Sequence, residues 1–231
     1  MKRNNITSIV FSIFSLLLGV FLSIPAFGAE ERDDFSATLN DFRGEVSLQK
    51  PGEEIWLPLE KDMPLEESDR IKTGADSFAE ILIDDGSLVR VEENSEIVLS
   101  ELSANYKTKR IEATIFLRFG RLLSNIAQFV DKRSRFSVRT PTTVAGVRGT
   151  EFIVETTDAQ ETEVGVFEGK VFVGGIDEQG NLIEGTEVAV TQGNQTIVLL
   201  DKRPRGPFAL RGRMLLHKKR LVLHRKRALD V

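Results

Sequence analysis

The chain has 231 residues, 41% hydrophobic and 29% charged, with no cysteine and two histidines. That composition excludes disulfides, thiol nucleophiles and cysteine-ligated metal centres, and leaves burial alone to close the core. The formal net charge of −4 is unevenly spread: residues 202–231 hold 11 Lys/Arg against Asp230, whereas residues 29–201 hold 34 acids against 18 bases. A net −16 body followed by a +10 tail is a composition break, read here as a domain boundary.

The first element in chain order is a leader. Met1-Lys2-Arg3 is basic, Ile6–Ile24 is apolar apart from small polar residues and Gly19, and Pro25-Ala26-Phe27-Gly28 sets small residues before a cut after Gly28. These parts make residues 1–28 a secretory signal and predict a periplasmic or extracellular body. The competing reading keeps the helix as an inner-membrane anchor, since about 19 mostly apolar residues can span a bilayer.

From residue 29 to 201 short β-type runs alternate with turn residues. Phe42–Leu48 alternates around Gly44, and Ile55-Trp56-Leu57-Pro58-Leu59 is a short apolar run stopped by proline. Ser77–Ile83 and Leu88–Val91 flank Asp84-Asp85-Gly86-Ser87, a strong hairpin signal. Ile81, Ile83, Val89 and Val91 then face one way, and Glu80 and Arg90 face solvent. Ile97–Leu102 and Ile111–Phe119 read as further strands. Leu122, Leu123, Ile126, Phe129 and Val130 have helical spacing, which allows one short helix over Arg121–Val130.

The stretch from Thr140 to Phe152 is β-branched and apolar but punctuated by Pro141, Gly146, Arg148 and Gly149. Proline fixes φ and removes a donor, and glycine permits turns that a Cβ resists. The run is predicted as strand, corner, strand, with Arg148 at the corner. Two further hairpins are expected about Glu168-Gly169 and Gln192-Gly193-Asn194. Recurrent short strands with little helix predict an all-β roll, solenoid- or sandwich-like and mostly hairpin-connected. The basic tail, 202–231, contains Pro204, Pro207, Gly212 and the near-repeat Arg213–Lys219 and Arg220–Lys226. It is predicted to be disordered or marginally helical.

Several motifs recur in one order: Gly44-Glu45-Val46, Trp56-Leu57-Pro58-Leu59, Asp69–Gly74, Asp85-Gly86-Ser87, Thr140–Phe152 and Glu168-Gly169-Lys170-Val171. With them the segment Phe35–Leu200 resembles the FecR domain. The resemblance implies a β-rich periplasmic module and a role in relaying signals between proteins. The family's namesake also has a cytoplasmic anti-sigma segment. Only five residues precede the apolar run here, so the expectation is a free-standing exported FecR-domain protein without direct anti-sigma activity.

Each candidate residue has a structural and a functional reading. Thr140, Pro141, Ala145, Gly146, Val147, Gly149, Thr150 and Phe152 form the signature and are expected to shape the fold. Arg148 is expected to be a semi-buried corner cation, with ligand contact as the alternative. Trp56 is expected in the core, with sugar stacking as the alternative. Paired acids such as Glu53-Glu54, Glu66-Glu67 and Asp84-Asp85 read as solvated turns, not as a glycosidase pair or a calcium loop. His217 and His224 both lie in the tail, so the body cannot assemble a Ser-His-Asp triad. Neither catalytic residue, cofactor nor metal is expected. The predicted role is a non-enzymatic scaffold that binds an envelope protein or a cell-wall polymer. The basic tail is expected to meet anionic lipid or wall polymer, not nucleic acid. The alternatives are a peptidoglycan- or glycan-binding module and a membrane-tethered regulator.

Overall fold

A computed structural model describes residues 37–105, 110–128, 134–158 and 160–217. The leader, the His224 half of the tail and Phe129–Val130 lie outside the described residues. Described residues form seventeen strands and one helical turn at 212–217. The first seven strands are β1 (Ala37–Arg43), β2 (Val46–Gln49), β3 (Leu57–Pro58), β4 (Pro64–Leu65), β5 (Arg70–Thr73), β6 (Phe78–Ile83) and β7 (Leu88–Val91). There follow β8 (Glu96–Asn105), β9 (Arg110–Asn125), β10 (Arg135–Arg139), β11 (Thr143–Val147) and β12 (Glu151–Asp158). The last are β13 (Glu161–Glu168), β14 (Lys170–Gly175), β15 (Val188–Thr191), β16 (Asn194–Leu199) and β17 (Phe208–Ala209). The fold is all-β, as the sequence predicts.

The pairings resolve into two sheets that share one strand. Sheet A runs β3-β2-β5-β8-β9-β10-β11-β14-β15, with only β9 and β10 parallel. Sheet B runs β4-β1-β6-β7-β9-β12-β13-β16-β17. The sheets face each other because alternate residues on both are apolar. Ile71, Ile97, Ile115, Val138, Ala145 and Val173 point inward from A, and Leu39, Ile81, Val89, Val154 and Val164 from B, into one core.

β9 corrects the expected helix over Arg121–Val130. It is a strand through Asn125, its first half in sheet A and its second in sheet B. Leu122 enters the main core, whereas Leu123 enters a second cluster with Ile153, Phe167 and Met214 on the outer side of sheet B. A strand buried on both faces has no alternation, so its apolar residues mimic helical spacing. The crossover is at Gly120, where φ is +98° and an added Cβ would lie 2.1 Å from Ser95 Oγ. Ser95 Oγ accepts the Arg121 N–H at 2.9 Å and fixes the bend.

The expected hairpins at 168–169 and 192–194 are corners instead. β13 lies in sheet B and β14 in sheet A; β15 lies in A and β16 in B. A hairpin and an arch between facing sheets bury the same alternate residues, so valine parity does not distinguish them. The corners stack on one another. Gly74 N–H bonds Glu45 O at 2.8 Å and Asn94 N–H bonds Gly74 O at 3.0 Å. On the second row Gln192 N–H bonds Gly169 O at 3.0 Å.

The composition break at 201 is not a break in the packed chain. β17 pairs with β16, and Arg205 N–H and Thr196 Oγ1–H close further bonds between the segments. Leu210 and the buried Met214 cover Leu123, Ile153 and Phe167. Gly165 makes room for them: a Cβ there would lie 2.9 Å from Leu210. Arg213 bonds the buried Glu155 at 3.1 Å, beside Arg121 at 3.3 Å. One basic residue of the tail, Arg213, thus pairs with an acid of the body.

Candidate functional site

The signature separates into a scaffold and a surface. Thr140 Oγ1 accepts the N–H groups of Thr142 and Thr143 at 3.2 and 3.1 Å, an ST-turn that closes the β10–β11 hairpin after Pro141. Thr140 and Thr142 hydroxyls both bond Thr162 Oγ1, at 2.8 and 2.7 Å, tying that turn to sheet B. Ala145, Val147 and Phe152 are core. Gly149, at φ +57°, makes the corner, and Thr150 Oγ1 donates to Lys170 O at 2.9 Å.

Two expectations about the signature change. Gly146 is not at the turn; it lies mid-strand in β11, where an added Cβ would come no nearer than 4.0 Å to Phe172 O. It leaves the outer face bare instead of bending the chain. Arg148 is exposed, not semi-buried, because it follows the last inward residue of β11 and points away from the core.

Both residues line an open groove of about 800 Å³ on the outer face of sheet A. Register arranges its residues in rows across the strands. The floor row is Glu101, Thr114, Ser137, Gly146 and Phe172, contributed in turn by β8, β9, β10, β11 and β14. Its middle is small, and Thr114 Oγ1 links Glu101 at 3.2 Å and Ser137 at 3.0 Å. Phe172 is 54% exposed at one end. One wall begins with Glu112 opposite Arg135. Arg148 comes next: it follows Val147, whose register partners Phe136 and Val171 adjoin Arg135 and Lys170. On the opposite side Val144 lines the groove, and its partner Arg139 and then Phe116 continue that row along the sheet. Glu112 is held by Arg110 at 2.5 Å, and Lys170 stands 5.9 Å from the Phe172 ring. The signal that could have exposed the groove is one small outward residue in each of β9, β10 and β11, Thr114, Ser137 and Gly146, but their register needs the fold.

Trp56 is not core. It is half-buried beside β3, with Arg70 and Lys72 at 5.3 and 5.9 Å from its ring. Its flanking Ile55 is 69% exposed, because β3 is a two-residue edge strand with little to pack against. Arg70 continues into an ionic ladder through Glu96 to Arg118. Burial pushes the Glu96 carboxyl up, but hydrogen bonds from Arg70 and Arg118 outweigh it and hold the group below its ordinary range. Trp56 is not among the residues lining the groove, so the two candidate ligand contacts, Arg148 and Trp56, are not brought into one site.

The paired acids sit mostly at turns. Burial holds the Asp85 carboxyl above its ordinary value although Ser87 donates two bonds to it. Arg90 and Glu80 depart from the expected solvent face: Arg90 is buried, bonded to Glu80 at 2.7 Å and Glu92 at 2.8 Å, and stacked on Phe78 at 3.5 Å. Among the described residues no group of three or more His, Asp or Glu could hold a metal, and no helix is long and apolar enough to cross a membrane.

Comparison with known proteins follows this geometry. The family described as FecR protein matches residues 69–172, from the start of the ionic ladder to Phe172 of the groove. No curated protein matches the chain. Two crystal structures of a candidate anti-sigma factor from Parabacteroides distasonis are similar to it at 17% identity, with TM-scores of 0.45 and 0.44. Each likeness covers 59% of this chain and 59% of the other, so the chain spans less than two thirds of those proteins. The similarity to the FecR family thus spans residues 69–172, less than half of the chain.

Proposed function

We propose that this chain is a non-enzymatic binding module of the cell envelope that engages a protein partner within a signalling pathway. The observation that carries this reading is the groove. It is open, crosses five strands of sheet A, and mixes an exposed aromatic residue with charges of both signs. Protein interfaces favour that blend of aromatic anchor and arginine. Its three carboxylates, Glu101, Glu112 and Glu187, share the surface with Arg135, Arg148 and Lys170. That balance suits recognition rather than acid–base work. The 1–28 leader supports export, with residues 29 onward in the periplasm or outside the cell.

The glycan alternative is less favoured, because two cations already crowd the ring on which a sugar would stack. The test is site-specific photocrosslinking in native cells, using the full chain with a reactive residue at 172 or, as control, at Leu82 on sheet B, which is 40% exposed. One protein partner trapped from 172 and not from 82 is expected. Equal trapping from both, or attachment of glycan alone at 172, overturns the proposal.

A further inference from the structure

The C-terminal helical turn leaves apolar surface outside the fold. Met214 packs inward with Leu123, Ile153 and Phe167, but Leu215 and Leu216, next to it in the chain, are 44% and 59% exposed. Anchoring Met214 on sheet B holds this leucine pair out towards solvent.

Cations flank the pair in the chain. Arg211 and Arg213 precede it and are both exposed; Lys218, Lys219 and Arg220 follow it. No acidic residue occurs between Lys202 and Leu229. The body's acids beneath the turn are turned to other uses. Glu155 is buried and bonded to Arg121 and Arg213, yet the Arg213 side chain stays 62% exposed. Glu163, opposite Glu155 across the ladder, has Gln195 at 3.4 Å.

Charge and apolar surface together limit the partner. An anionic surface attracts the +10 tail and repels the −16 body, so it meets the tail first. Each cation held near such a surface raises affinity roughly fivefold. A soluble polyanion supplies the same charge but has nowhere to bury two leucines. The boundary between headgroups and acyl chains of a bilayer does.

We infer that the C-terminal segment docks on an anionic phospholipid bilayer, with Leu215 and Leu216 entering the interface and the cations on either side of them in the chain meeting the headgroups. The groove on sheet A is a separate surface, and this contact stands or falls without it.

The test is vesicle flotation of the full chain, purified from its own cells as they process it. One set of vesicles is phosphatidylcholine alone, and the other contains an equal share of phosphatidylglycerol. The chain is expected to float with the anionic vesicles only, and less as salt rises. The double variant Leu215→Ser, Leu216→Ser should lower vesicle affinity by about tenfold or more. Its binding to dextran sulfate, a charged polymer without an apolar phase, should match the parent's. Lys218→Glu with Lys219→Glu should weaken both kinds of binding by about tenfold or more. If the leucine variant melts below the parent, Leu216→Ser alone, at the more exposed position, carries the test. Equal flotation with both vesicle types, no flotation with either, or vesicle binding indifferent to the leucines or to the charge reversal overturns the inference.

Discussion

Gly149 and Gly169 hold the second row of corners, and both have positive φ, +57° and +82°. A Cβ at Gly169 would lie 2.9 Å from the Gly149 carbonyl, with no flexible end to give way. Gly169→Ala is therefore expected to cost about 3 kcal/mol, read as a lowered midpoint in urea. Gly146→Ala serves as its control: φ there needs no glycine, and the change should be neutral or stabilising by about 0.5 kcal/mol. The sequence marks Gly146 and Gly149 with one signature, yet only the fold separates a turn from a bare patch of floor. Charges divide the same way. Glu80 and Arg90 have outward parity, and nothing local shows that Phe78 and Glu92 will enclose them.

Glu163 offers a pH test at the same scale. Burial and the neighbouring Glu155 carboxylate hold its carboxyl above the ordinary value, against the pull of Arg213 and Arg211. A folded-state value above the unfolded one means that its ionisation opposes folding, so stability present in acid is lost as pH rises through the folded value. Glu163→Gln should raise the melting temperature at pH 7, and the advantage should vanish near pH 4. A penalty at pH 7 would show that the arginines dominate. Glu96 has the opposite sign. Its lowered value stabilises the fold at neutral pH, and that contribution is lost in acid as the group protonates.

At the scale of elements, strand existence was legible and strand partnership was not. Turn residues and alternation locate β6, β7, β8 and β11 directly in the sequence, because local chemistry sets them. The arches at 168–169 and 192–193 and the sheet change inside β9 depend on contacts between residues far apart in the chain. The tail teaches the same lesson. Its basic composition separates it from the body, but Met214 and Leu210 cover an apolar strip of sheet B formed by Leu123, Ile153 and Phe167. Met214→Ala should cost about 2 kcal/mol. Truncation after Asp201 should cost more, exposing Leu123, Ile153 and Phe167, with a lower melting temperature and increased binding of a hydrophobic dye. An unchanged melt on truncation would mean that the segment is not docked in solution.

For the whole molecule, two sheets sharing β9 turn a regular core into a platform whose outer face is free to vary. Sheet B spends its outer face on the C-terminal segment, whereas sheet A presents the groove. The resemblance to FecR domains was legible from ordered motifs across the chain, and the family match at 69–172 takes in β8 to β11 and the start of β14, though not Glu187. The groove itself was not legible, because it brings together residues from 101 to 187 through strand register. Arg148→Ala, with melting temperature and crosslinking from position 172 read on the same protein, tests the claim most directly. An exposed groove cation predicts a melt within about 2 °C of the parent and loss of the trapped partner. A melt lowered by several degrees with the partner still trapped would make Arg148 a structural corner and contradict the account.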